Sequence, residues 1–187
     1  MTTAVSSMIV VTGVDGILRC AQTGSCRDAL SALRWLGDYD VPVVMTSHGS
    51  AADVVRFQAE VGLRQPFIAN GGAALFVPRH YFASMRDLGV QLSDCERIDF
   101  ASDHGDTRPA LEFLLSLYRV DRGSDLLVVG CAGDVRDRAV LDIADVQVLV
   151  RGGSGLEPLL SSWPSAYVTT AAGPLGWSEA ILGAVAA

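Results

Sequence analysis

Four small polar or acidic clusters in this chain of 187 residues follow directly on short apolar runs: Asp15 in "TGVDG", Thr46 and Ser47 in "TSHGS", Asn70 in "NGG", and Asp134 and Asp137 in "GCAGDVRD". Small residues let backbone N–H groups approach an anion, and carboxylates hold a hard cation. This is the vocabulary of a phosphate or metal site. It has meaning only if the apolar runs are strands of one sheet, because open parallel sheets bind ligands beyond the carboxyl ends of their strands.

The runs have that character. "MIVV", "VPVVM" (41–45), "PFIA" (66–69), "AALFV" (73–77), "DLLVVG" (125–130), "VQVLV" (146–150) and "AYVTT" (166–170) alternate with amphipathic stretches. The latter are "SCRDALSALRWLGDY", "SAADVVRFQAEVGL", "TRPALEFLLSLYRV", "VRDRAVLDIA" and "GWSEAILGAVAA". In the second stretch Val54, Phe57, Val61 and Leu63 form a helical stripe, with Asp53 in the first turn. Alternation of this kind predicts βαβ units: an α/β fold with a doubly wound, mostly parallel sheet. One stretch breaks the rhythm, at about 78–106, and reads as a short excursion, one helix or a hairpin. Residues 1–187 are otherwise read as a single domain.

Composition narrows the function. The net charge is −7, with 14 basic residues scattered among 21 acidic ones, so no basic face for a nucleic acid or an anionic membrane is expected. The four cysteines form no C-x-x-C pair and have no histidine at zinc-finger spacing, which points to free thiols in a reducing compartment. No basic leader and no apolar run of about 18 residues is found, and a cytoplasmic protein is expected.

The order and content of the strand ends resemble the haloacid dehalogenase (HAD) superfamily, and within it the mannosyl-3-phosphoglycerate phosphatase group. The likeness is carried by "VPVVMTSHGSAADV", "LRQPFIANGGAALFVP", "GDVRDRAVLDIADVQVLVR" and "GPLGWSEAIL". The resemblance implies a HAD-like Rossmannoid core and magnesium-dependent phosphoryl transfer. In such enzymes the first strand ends in D-x-D-G-T, whose first Asp attacks phosphorus while the second is general acid and base.

Carried over residue by residue, the pattern breaks at its centre. Gly13 stands at the nucleophile position, Asp15 and Gly16 match the second Asp and its glycine, and Ile17 replaces the threonine. Ser47, with Thr46 as second choice, matches the phosphate-binding hydroxyl, and Asn70 lies on the same rim. The expected lysine is absent, with Thr107 and Arg108 nearest to it. Asp134 matches the first metal-site acid, Asp137 falls where Asn is usual, and Arg138 falls where a second Asp is expected. The 78–106 stretch stands in place of a sizeable cap, making the chain essentially capless.

Glycine supplies neither a nucleophile nor a metal ligand, and removing the attacking group of a serine protease costs about 10⁶ in rate. The resemblance with these departures implies a binding or regulatory module whose phosphatase chemistry is lost. Its partner would be a small phosphorylated ligand or a protein, and it would self-associate as a homo-oligomer. The alternative is a magnesium-dependent phosphohydrolase of non-standard mechanism, acting on a small sugar-phosphate-like substrate, with water activated by Asp15 and Arg108 in the lysine's role. A guanidinium from Arg138 beside Asp134 and Asp137 would stand in for the magnesium ion, whereas Arg136 reads as a solvent-facing charge. His48 reads as a turn residue, Asn70-Gly71-Gly72 as a tight turn with positive φ, Cys131 as core, and Trp177 as an anchor preceded by a turn at Pro174 and Gly176.

Overall fold

The computed structural model describes residues 8–82, 95–100, 106–152 and 155–185. In chain order the elements are β1 (Met8–Gly13), α1 (Leu30–Asp38), β2 (Val43–Thr46), α2 (Ala51–Val61), β3 (Phe67–Ala69), β4 (Ala74–Pro78) and β5 (Cys95–Asp99). They are followed by α3 (Arg108–Arg122), β6 (Leu127–Ala132), α4 (Arg138–Asp142), β7 (Val146–Arg151), α5 (Leu156–Ser162), β8 (Tyr167–Ala172) and α6 (Gly173–Val185). The eight strands form one sheet in the order β5-β4-β3-β2-β1-β6-β7-β8. Among the described residues the β3–β4 and β4–β5 pairings are antiparallel and the other pairings of the sheet are parallel. This is the α/β, mostly parallel architecture that the alternating runs predict.

β1 sits at the centre because its six residues are all buried. Met8 and Val10 point to one face and Ile9 and Val11 to the other, as the strand period of two requires. The first face packs against Ala32, Leu33 and Leu36 of α1, Val54 and Phe57 of α2, and Trp177, Ala180 and Ile181 of α6. The second packs against Leu111, Leu114, Leu115 and Tyr118 of α3 and Val140 of α4. These leucines recur at intervals of three and four, so one stripe of α3 meets the sheet. α2 starts at Ser50, whose hydroxyl oxygen accepts the Asp53 N–H at 3.3 Å, and ends at Gly62 with φ of 72°.

From β1 the chain builds outward to β5, then α3 returns it to the opposite side of β1, where β6 pairs with β1 in parallel. The connection reverses direction at β1, which opens a crevice beyond the carboxyl ends of β1 and β6. The stretch about 78–106 supplies β5, which extends the sheet antiparallel to β4. Residues 83–94 and 101–105 of that stretch, His104 among them, lie outside the described residues.

The closing segment departs in detail from its reading as a turn followed by a helix. Pro174 and Gly176 belong to the first turn of α6 itself. Gly176 is required there because a Cβ would stand 2.2 Å from the Ala171 carbonyl oxygen. Trp177 is fully buried, and Glu179 reaches back over the end of β8. Its carboxylate accepts the N–H groups of Thr170 and Ala171, each at 2.9 Å, and the Tyr167 hydroxyl at 2.8 Å.

Those donors, the Ala171 amide first, lower the Glu179 pKa from 4.5 to about 2. A depressed carboxylate pKa stabilises the fold above the unfolded value and loses that contribution as pH falls toward the folded one. Glu179→Gln is therefore expected to lower the melting temperature at pH 7 and to flatten the loss of stability between about pH 4.5 and pH 2, measured by thermal melts across that range.

Candidate functional site

The crevice contains a cavity of about 320 Å³ that brings together Gly13, Asp15, Thr46, Ser47, Asp134 and Asp137, with His48 and Arg136 on its wall. β1 and β2 hold Gly13 and Thr46 in direct register, and the loop after β6 carries the two later aspartates. Thr12 points away: it is fully buried, and its hydroxyl donates to the Gly13 carbonyl at 3.1 Å.

The close fit at the end of β1 decides the chemistry. A Cβ built on Gly13 would lie 3.0 Å from Asp137 Oδ2 and 3.1 Å from Ile17 Cδ1. Asp137 is buried, and its other oxygen meets His48 Nε2 at 3.2 Å. Ile17, fully buried, fills the remaining space with a methyl group. The volume that a side chain at position 13 would enter is thus walled by a carboxylate from the β6 loop and by an apolar side chain.

Each carboxylate at the rim already has a cationic or imidazole partner. Asp15 Oδ1 accepts Arg19 Nη2 at 2.5 Å. Asp134 Oδ1 accepts the Arg136 backbone N–H at 3.0 Å and Nε at 2.9 Å, and its Oδ2 accepts Nη2 at 3.3 Å. This charge-assisted fork raises the Arg136 pKa. Asp137 has His48. The turn after β1 is likewise engaged, since Val14 N–H donates to Thr46 O at 3.1 Å and Gly16 N–H to Arg19 O at 2.8 Å.

Several sequence-based assignments change. The guanidinium beside Asp134 belongs to Arg136, not Arg138; Arg138 is exposed on the far side of the loop and lines a second cavity. A two-residue separation along the tight turn at Val135–Asp137 lets Arg136 fold back onto the aspartate that caps it. Arg108 is also absent from the strand-end cavity, because it pairs with Asp142 of α4 and lines the second cavity. It is therefore not placed for the missing lysine's role beside Ser47. Asn70 lines neither of these cavities and sits exposed at φ of 56°, followed by Gly71 at 64° and Gly72 at 93°, a left-handed turn that brings the chain against Thr107. His48 is more than a turn residue, but its partner lies 89 positions away and no local pattern announces it. Cys131 is fully buried, which pushes its thiol up to about 12 and leaves it no nucleophilic role.

Magnesium, which the resemblance implies, is held by one or two carboxylates free of other partners, with waters completing its octahedron. Among the described residues no three His, Cys, Asp or Glu side chains converge on one point. With glycine at 13 and basic partners on Asp15 and Asp134, the residues present do not fit the ion.

The architecture defines the class: a HAD-like Rossmannoid fold. The sucrose-phosphatase from Synechocystis superposes over 95% of this chain and 97% of that chain with a TM-score of 0.59 and 13% identity. The cobalt-bound deoxy-D-mannose-octulosonate 8-phosphate phosphatase from Haemophilus influenzae superposes over 96% and 90% with a TM-score of 0.58 and 15% identity. In sequence the chain is similar to the glucosyl-3-phosphoglycerate/mannosyl-3-phosphoglycerate phosphatase of Persephonella marina, 26% identical over 124 residues. That match covers 65% of this chain and 45% of the relative, so it spans less than half the relative's length. No protein-family model matches the chain. The resemblance to HAD-type phosphatases is supported by both the sequence and the fold.

Gly13→Asp would place a second carboxylate beside Asp137 and crowd Ile17. The expected cost is about 1–3 kcal/mol in metal-free buffer, read by urea unfolding. Adding magnesium, or combining it with Asp137→Asn, should return most of the lost stability. Equal stability of Gly13→Asp and the natural protein in chelator would contradict the crowding.

Proposed function

We propose that this chain is a HAD-fold binding or regulatory module, related to the mannosyl-3-phosphoglycerate phosphatase group, that has given up aspartyl-phosphate chemistry. The supporting observation is the contact at position 13. No oxygen stands at the end of β1 to capture phosphorus, and the space for one abuts the Asp137 carboxylate. The general acid/base position, Asp15, is tied to Arg19. A pair of opposed groups, one attacking and one transferring the proton, is thus reduced to a network of internal ion pairs.

In this reading the stretch about 78–106 replaces the cap, and the open rim faces a small phosphorylated ligand or a protein partner. Self-association into a homo-oligomer would shelter it. HAD phosphatases generally use magnesium; this module would not depend on it.

Hydrolysis of para-nitrophenyl phosphate with magnesium tests the proposal. The natural protein is expected at the no-enzyme background, and Gly13→Asp combined with Asp137→Asn is expected to rise above it. Turnover by the natural protein at about 1 s⁻¹ or faster, the ordinary range for enzymes, would overturn it. So would a trapped acyl-phosphate adduct on the unsubstituted chain.

A further inference from the structure

Beside the strand-end crevice lies a larger cavity of about 510 Å³, and the two share His48 and Arg136 as a common wall. Its other charged lining residues are Arg108 at the start of α3 and Arg138 at the start of α4, together with Asp106 and Asp142. Three guanidinium groups therefore line one cavity of a chain whose net charge is −7. The same lining sets these three cations against two carboxylates, Asp106 and Asp142.

The internal pairing leaves one of the three guanidinium groups, that of Arg138, outside the ion pairs among the described residues. Asp142 is taken by the Arg108 side chain, and Asp106 Oδ1 accepts the Arg108 backbone N–H at 2.9 Å. Arg136 shares its charge with Asp134 outside this cavity. Arg138 has no carboxylate partner in the salt bridges among the described residues, so its planar fork of donors is available. Thr107, buried at 6% exposure, adds a hydroxyl to the lining.

We propose that this cavity is an anion-binding site, with Arg138 as its principal anchor and Arg108, Arg136 and His48 as flanking donors. The ligand class is a small organic molecule bearing a phosphate or carboxylate group. A planar guanidinium recognises both through paired N–H donors. The volume falls within the roughly 300–1,000 Å³ of small-molecule sites, so an inorganic ion alone would leave most of it unfilled. This cavity adjoins the strand-end crevice across His48 and Arg136, and its anchor, Arg138, lines this cavity and not the crevice. It does not depend on the loss of catalysis.

The test is calorimetric titration of the full chain, without added divalent metal, with phenyl phosphate and with benzoate, which share a ring and differ in the anion. Saturable binding of at least one is expected, and the stronger probe identifies the preferred group. Arg138→Ala should weaken binding about tenfold or more, as loss of a charged hydrogen bond does. Arg138→Lys should keep part of the affinity, because the charge remains and the fork is lost. Ser161→Ala, on α5 and in the lining of neither cavity, should leave binding unchanged. Arg138 is exposed, and unchanged melting temperatures will show that both arginine variants remain folded. Failure of both probes to saturate, or affinity unaltered in Arg138→Ala, overturns the proposal. Loss of binding in Ser47→Ala alone would move the anion to the strand ends and overturn it equally. Cleavage of phenyl phosphate would bear on the proposed loss of catalysis and not on this site.

Discussion

The tight meeting of Gly13 with Asp137 is the constraint around which the crevice is organised. β1 is buried on both faces and hydrogen-bonded on both edges, so its last residue cannot move away from the loop that follows β6. Protein interiors are packed closely enough that one added carbon is felt. With Asp137 Oδ2 at 3.0 Å from where that carbon would stand, glycine at 13 and aspartate at 137 make a matched pair. At this end of the crevice the negative charge comes from the loop after β6 and not from β1.

That placement carries the electrostatics with it. A carboxylate on β1 would share a cation with acids from the β6 loop. Here every acid is satisfied from within the chain: Asp15 by Arg19, Asp134 by Arg136, Asp137 by His48. The Asp15–Arg19 and Asp134–Arg136 pairs reach solvent, and pairs of that kind add little to stability, about 0–1 kcal/mol. Their effect is on chemistry, because a carboxylate shared with a guanidinium is a poorer ligand for a divalent ion. The crevice has kept its shape and its acids, and its charges are closed on themselves.

The same loop has two sides. Arg136 turns back to Asp134, and Arg138, two residues on, starts α4 and lines the larger cavity. A single 3₁₀ turn at Val135–Asp137 thus separates the strand-end crevice from the cavity that Arg138 lines. His48, from the loop after β2, contributes to both. The end of α6 is held by a different device, with Glu179 clamping two amides of β8 and Trp177 filling the core under β1.

Much of this was legible in order along the chain. Period-two and period-three-to-four patterns named seven of the eight strands and five of the six helices, because burial on a sheet face or a helix stripe leaves a local trace. β5 and α5 escaped, since Cys95–Asp99 is a charged edge strand and Leu156–Ser162 is only seven residues long. The glycine at position 13, the acid at 15 and the hydroxyl at 47 also stand in the sequence without any coordinates. Which charge meets which does not. Arg136 against Arg138 at Asp134, Arg108 at Asp142, and His48 at Asp137 were settled only by tertiary packing. Side chains that are distant or adjacent in sequence find partners according to which wall of the crevice their backbone faces. That orientation is set by the sheet order and the turn after β6, and residue type and spacing alone carry no record of it.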